Sequence, residues 1–174
     1  RDDVESRGLG DVYKRQATGS GVGENRRIVN SLYIEPDALE ELNYRQFEKY
    51  DLIASRETRY EEYLCDDAEI VLTAYGTVAR IAKSAVNILR EQGIKAGLLR
   101  PITLYPFPNE AFLKVANNPT VRRFVCSELS MGQMIEDVKL AIECKKPVDF
   151  FGRTGGNVMT PEDIVEFVKG EVKK

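Results

Sequence analysis

From Glu69 to the C-terminus, short β-rich apolar runs alternate four times with stretches whose apolar residues recur at helical spacing. Ile70 to Tyr75 is the first run. Gly76-Thr77 then turns the chain into a helix with apolar positions Val78, Ile81, Ala82, Ala85, Val86 and Leu89, ended by Gly93. Lys95 to Leu99 reads as the second strand, followed by the proline-punctuated stretch RPITLYPFPNE and a helix through Phe112, Leu113 and Ala116 that Asn117, Asn118 and Pro119 stop. Arg123 to Ser127 is the third strand, leading through ELSMGQM into a helix carrying Met134, Ile135, Val138, Ala141 and Ile142. Pro147 to Phe151 is the fourth, with GRTGGNVM as its loop. Thr160-Pro161-Glu162-Asp163 opens the last helix with a cap, a proline at the first position and two acids at the positive helix end.

Strands and helices alternating at these lengths predict a mostly parallel sheet covered on both faces, because a right-handed crossover returns each strand beside another in the same direction. The expected fold of residues 69–174 is therefore α/β, a three-layer αβα sandwich. Any site in such a sheet collects at the carboxyl ends of the strands. Those ends carry Gly76-Thr77, Arg100-Pro101, Glu128 with Ser130-Met131-Gly132-Gln133, and Gly152-Arg153-Thr154-Gly155-Gly156.

Residues 17–68 have another pattern, a glycine loop (ATGSGVGENRR) and a charged connecting helix. Pro36 and Asp37 open the helix, and Leu39, Leu42, Phe47, Tyr50, Ile53, Tyr60 and Leu64 mark one apolar stripe. The charged residues up to Asp66 are read as a solvated face; a connecting arm packed on a neighbouring domain or subunit is the sharper alternative. The alternating Gly19, Gly21 and Gly23 differ from the spacing of a dinucleotide turn, and no predicted strand precedes them. Residues 1–16 show neither period and are expected to be disordered. Their wording, RDDVESRGLGDVYKRQ, also resembles a translated sequencing-adaptor read, so a leader or an adaptor-like scar is expected there, with the natural polypeptide entering near Ala17.

Composition narrows the function classes. A 174-residue chain, 43% hydrophobic and 30% charged, can bury a real core. Its formal charge of -3 supplies no basic footprint for nucleic acid or anionic lipid. No uninterrupted apolar stretch approaches a membrane span, and the chain is read as cytoplasmic. It has no histidine, which removes Ser-His-Asp and Cys-His nucleophiles and the commonest zinc ligand. Cys65, Cys126 and Cys144 lie too far apart for a CxxC site and are expected to be buried thiols.

Each strand-tip group has a bland reading beside a sharper one. Gly76 and Thr77 could hold an anion at a helix start, but the preferred reading is a tight turn and a cap. Arg153 beside the glycines of GRTGG could meet phosphate; the loop lacks the Lys-Ser/Thr of a P-loop, and an arginine pairing across a domain or subunit boundary is preferred. Glu136 and Asp137 are adjacent and point apart, which leaves Glu128 as the carboxylate candidate. Met131 and Met134 are read as adaptable packing against a partner.

Four blocks in order, CDDAEIVLTAYGTVARIAKSAV, GLLRPITLYPFP, SELSMGQMIEDVKLAI and FFGRTGG, resemble the C-terminal, transketolase C-terminal-domain-like region of the α subunit of 2-oxoacid:ferredoxin oxidoreductases, most closely the 2-ketoisovalerate type. The resemblance runs from about Ile28 to the end. It implies an enzyme complex that converts a 2-oxoacid, coenzyme A and oxidised ferredoxin to an acyl-CoA, carbon dioxide and reduced ferredoxin, with thiamine diphosphate, magnesium and iron-sulfur clusters. It also implies that the activating glutamate and the diphosphate site lie outside this segment, which then binds no cofactor alone and catalyses nothing alone. On this reading Gly76, Thr77, Arg100, Glu128, Ser130, Gln133, Arg153, Thr154 and Gly155 are interface residues facing the other subunits. Two alternatives stand beside it, a flavodoxin-like module with phosphate at Gly76-Thr77 and GRTGG, and an assembly module without ligand that self-associates.

Overall fold

The computed structural model describes residues 32–170. The expected leader or scar, the glycine loop and the last four residues lie outside them. Contacts divide the chain after Phe47 into two units. Helix α1, Pro36–Glu57, spans that division and buries none of its residues.

The second unit holds a five-stranded sheet: β1 (Tyr60–Tyr63), β2 (Ile70–Thr73), β3 (Ala96–Pro101), β4 (Arg123–Glu128) and β5 (Val148–Gly152), in the order β1-β3-β2-β4-β5. β3, β2, β4 and β5 are parallel, and β1 adds an antiparallel edge to β3. Helices α2 (Gly76–Glu91), α3 (Asn109–Ala116), α4 (Met134–Ala141) and α5 (Pro161–Lys169) cover it. Val71, Leu99, Phe124 and Cys126 pack with residues of α3 and α4 on one face, while Leu72, Leu98, Val125 and Phe151 pack with α2 and α5 on the other. The sandwich is three-layered, as expected.

Local chemistry explains the element ends. Gly76 has φ +56°, a conformation costly for a side chain with Cβ, so β2 passes into α2 across only Ala74 and Tyr75. Thr160 accepts from the Asp163 N–H at 3.1 Å while the Asp163 carboxylate accepts from the Thr160 N–H at 2.9 Å, a reciprocal capping box where the sequence predicts a cap with Pro161 at the first helical position.

One element differs from the expectation. The charged helix expected to run to Asp66 ends at Glu57, and Tyr60 and Leu64 leave its stripe, because Tyr60–Tyr63 is strand β1. The sheet thus begins before Glu69. Successive residues of β1 face opposite sides: Glu61 meets Lys83 of α2 at 2.7 Å, and Glu62 meets Lys114 of α3 at 2.9 Å. Each acid finds a cation from the helix layer on its own side, a pairing that helical periodicity imitates but cannot reveal.

Candidate functional site

The parallel strands bring the four loops to one end of the sheet. β2 sits between β3 and β4, so the chain leaves β2 toward one side and β4 toward the other, and the crevice of such a fold lies between them. Gly76 and Thr77 open α2 on one flank of this switch point, and Glu128 to Gln133 lie on the other.

Glu128 is 1% exposed and does not face outward. Its carboxylate turns back over the start of α4 and accepts from the backbone N–H groups of Met134 (3.0 Å), Gln133 (3.1 Å) and Ile135 (3.0 Å). Ser130 Oγ donates to it at 3.0 Å, and Cys126 Sγ lies 3.4 Å away. Burial pushes this carboxyl up, but the N–H groups of Met134, Gln133 and Ile135 and the Ser130 hydroxyl more than offset that, and Glu128 is held below the ordinary glutamate value. A charge satisfied this fully is a helix cap. Its expected role as an interface residue is corrected by that geometry. Ser130 serves the same structure, since its Oγ also accepts from the Gly132 N–H at 3.1 Å. Gln133 contributes its N–H to the cap while its residue stays exposed.

The arginines are likewise engaged within the chain. Arg100 Nη1 donates to Glu61 at 3.1 Å across the β1–β3 pair, where Lys83 also holds Glu61. Lys83 and Arg100 hold the Glu61 carboxyl below its usual range despite some desolvation. Arg153, expected to pair across a boundary, lies 3.4 Å from Asp163 of α5 and above the Phe151 ring, 5.8 Å from its centroid, and stays exposed. Its backbone N–H donates to the Glu128 carbonyl at 3.1 Å, which ties the β5 loop to the β4 loop. Thr154 carries the turn through its carbonyl, which accepts from Asn157, and Gly155 is exposed with φ +66°. Thr77 does not cap α2: Tyr75 occupies the cap position, without a side-chain bond.

At this end exposed apolar side chains stand beside the exposed Gln133, Arg153, Thr154 and Asn157. Ile102, Leu104 and Tyr105 after β3 are 50%, 46% and 70% exposed, and Leu129 and Met131 after β4 are 44% and 83% exposed. Met134, read as packing against a partner, is instead the first residue of α4 and is buried in the core that α4 shares with α3. Sequence reasoning also missed Glu61, which lay within the misread helix, and the contact of Cys126 with Glu128.

The thiols are dispersed. Cys65 and Cys126 are buried and Cys144 is exposed, against the expectation that all three are buried. An iron-sulfur cluster of the four-thiolate kind does not fit a chain with three separated cysteines. Among the described residues no His, Cys, Asp and Glu side chains group to hold a metal ion. A shallow depression of ≈ 280 Å³ lined by Asp67, Glu69, Lys95, Pro119, Thr120 and Arg122 lies at the amino ends of the strands, away from the loops above.

Residues 68–164 match the family model of pyruvate:ferredoxin oxidoreductase core domain II. The chain is 45% identical over 162 residues to the ketoisovalerate oxidoreductase subunit VorB of Methanothermobacter thermautotrophicus, a match covering 91% of this chain and 45% of that protein. It is 35% identical over 104 residues to the 2-oxoglutarate synthase subunit KorA of Methanocaldococcus jannaschii, covering 60% of this chain and 27% of that one. The chain therefore spans a little under half of the first of these relatives and a smaller share of the second. Among solved structures, the 2-oxoglutarate:ferredoxin oxidoreductase of Magnetococcus marinus superposes with a TM-score of 0.66 at 17% identity, over 91% of this chain and 28% of that chain. A split-gene transketolase superposes with a TM-score of 0.54 at 20% identity, over 64% of this chain and 40% of that one. These two show the fold, and the matched family model shows that the chain belongs to the pyruvate:ferredoxin oxidoreductase core domain II family.

Proposed function

We propose that the chain is the supporting, partner-facing part of one subunit of a thiamine diphosphate-dependent 2-oxoacid:ferredoxin oxidoreductase of the ketoisovalerate type, working in the cytoplasm. The whole assembly converts a 2-oxoacid and coenzyme A to an acyl-CoA and carbon dioxide and passes the electrons to ferredoxin. Thiamine diphosphate, magnesium and iron-sulfur clusters are assigned to the rest of the complex. The branched-chain substrate rests on the 45% identity to the ketoisovalerate oxidoreductase subunit.

The observation that carries the supporting role is the fate of the strand-tip charges. Arg100 Nη1 is held by Glu61, Arg153 lies beside Asp163, and the Glu128 carboxylate is buried in its cap, which commits the strand-tip carboxylate to structure rather than to acid-base work. Apolar side chains face outward around them, which is the composition of a surface that another protein covers.

The test is co-expression of the complete reading frame with its neighbouring subunits, followed by measurement of coenzyme A-dependent ferredoxin reduction. The expected result is turnover only in the assembled complex, fastest with 3-methyl-2-oxobutanoate. Faster turnover of 2-oxoglutarate or pyruvate would overturn the substrate assignment. Turnover by this chain alone, or its saturable binding of flavin mononucleotide, would overturn the supporting role in favour of a self-sufficient module.

A further inference from the structure

We infer that the start of α2 binds a phosphate group, held by the backbone N–H groups of Gly76 and Thr77 with the Ser127 hydroxyl as the innermost donor. The site goes beyond the proposed function and does not rest on it.

The first N–H groups of a helix have no acceptor within that helix. In α4 the Glu128 carboxylate supplies one, and in α5 the Thr160 hydroxyl does. In α2 nothing does: Tyr75 at the cap position makes no side-chain bond and packs against the core of α3 and α4, and the first turn holds no acid. Among the described residues no acceptor meets the N–H groups of Gly76 or Thr77. Both residues are exposed, and an added Cβ at Gly76 would meet nothing within 4 Å, so the space beside this backbone is open. α2 runs for 16 residues, and its aligned peptide dipoles place positive potential at that opening.

An open helix start is common; Ser127 distinguishes this one. The residue is 0% exposed and its Oγ has no partner in the chain. Burying a hydroxyl unpaired costs free energy, which an incoming acceptor returns. Its direction follows from the alternation along β4: Val125 packs on the α2 and α5 side and Cys126 on the other, so Ser127 faces α2 and α5. Thr73 pairs with Cys126, which sets Ser127 level with Ala74, two residues before Gly76. Neighbouring strands stand about 4.8 Å apart, so the hydroxyl lies beneath the point where the chain leaves β2 for α2. This is also the β2–β4 switch point, where parallel sheets open a crevice. Thr73, whose hydroxyl is likewise buried without a partner, faces the α3 and α4 side as Val71 does and takes no part.

The donor set selects the ligand. At the Glu128 cap a carboxylate is filled by three N–H groups and one hydroxyl. The α2 start offers two N–H groups, the hydroxyls of Thr77 and Ser127, and the exposed guanidinium of Arg80 one turn along on the face of Thr77. A third oxygen and a second negative charge match that larger, positively charged set, and phosphate supplies both. The acid on this flank, Glu61, is already held by Lys83 and Arg100 and does not compete.

The test is isothermal titration of the full-length subunit with inorganic phosphate, in buffer free of other oxyanions. Binding in about the millimolar range is expected. Thr77→Asp sets a carboxylate of the chain's own at the helix start; it should abolish that binding and raise the thermal midpoint, because the acid stabilises the helix end. Ser127→Ala should weaken phosphate about tenfold without lowering the midpoint in phosphate-free buffer. Arg122→Gln, at the opposite end of the sheet, should bind phosphate as the unsubstituted subunit does. Coenzyme A separates the sources: binding tighter than phosphate and lost in Thr77→Asp assigns the group to that co-substrate, and equal or weaker binding assigns it to the free ion. No phosphate binding, or binding that Thr77→Asp retains in full, would overturn the site and leave the proposed function standing. A lower midpoint with unchanged phosphate affinity in Ser127→Ala would overturn the hydroxyl's role as donor. Flavin mononucleotide bound in about the micromolar range, tighter than the phosphate group alone supplies, would instead count against the proposed function.

Discussion

Gly152 lies against the carbonyl of Ser130 so closely that a methyl group in place of its hydrogen would stand 2.5 Å from that oxygen and 2.7 Å from the Phe150 ring. This contact joins the loops after β4 and β5, and its limit is steric. Gly152→Ala is therefore expected to destabilise the domain by about 1–3 kcal/mol, the usual range for overpacking a well-filled site. Urea unfolding of the two proteins measures it directly. Equal midpoints would mean that the two loops separate easily and do not form one rigid surface.

The Glu128 cap makes a prediction with a definite sign. Its carboxyl is held below the ordinary value of 4.5, so its stabilisation is fully present above that value and is lost as pH falls through the lower folded-state value. Glu128→Gln keeps the shape but sets an amide against N–H donors, and should cost about 1.5–3 kcal/mol near neutrality, the scale of a hydrogen bond to a charged group. The difference in unfolding free energy between the two proteins should stay level down to about pH 5 and shrink below it. A difference that grows on acidification would contradict the cap.

The three cysteines should separate cleanly in reactivity. Burial pushes the Cys65 thiol up to about 11, and Cys126 is pushed far up by burial and then by the Glu128 charge beside it. Cys144 is exposed. A thiol reagent followed by peptide mass spectrometry should find Cys144 modified in the native protein, with Cys65 and Cys126 reacting only on unfolding. Native labelling of Cys126 would show that the β4 end is open.

The layered α/β fold was legible because its signals are local. The stripe from Val78 to Leu89 and the Thr160-Pro161-Glu162-Asp163 start appear in the structure where the pattern puts them. Strand β1 was not legible: Tyr60 and Tyr63 are three apart, as on one helix face, and only pairing with Leu98 to Pro101 of β3 makes the segment a strand. The site was half legible. Parallel topology foretells that the loops share one end of the sheet, but a sequence does not tell which way a side chain turns at a strand tip. Arg100, Glu128 and Arg153 read as outward groups because arginine and glutamate usually are. Partners distant in sequence or beyond the next turn, Glu61, the start of α4 and Asp163, engage them, and of the three only Glu128 is buried.

Whether the strand-tip end is the covered surface can be measured by amide hydrogen exchange on the full-length subunit, free and assembled with its partners. The account predicts that assembly slows exchange at residues 102–105 and 129–133, while the amides around Asp67, Glu69, Lys95 and Arg122 at the opposite end exchange at the same rate in both states. Protection confined to that opposite end, with the Met131 loop unchanged, would contradict it.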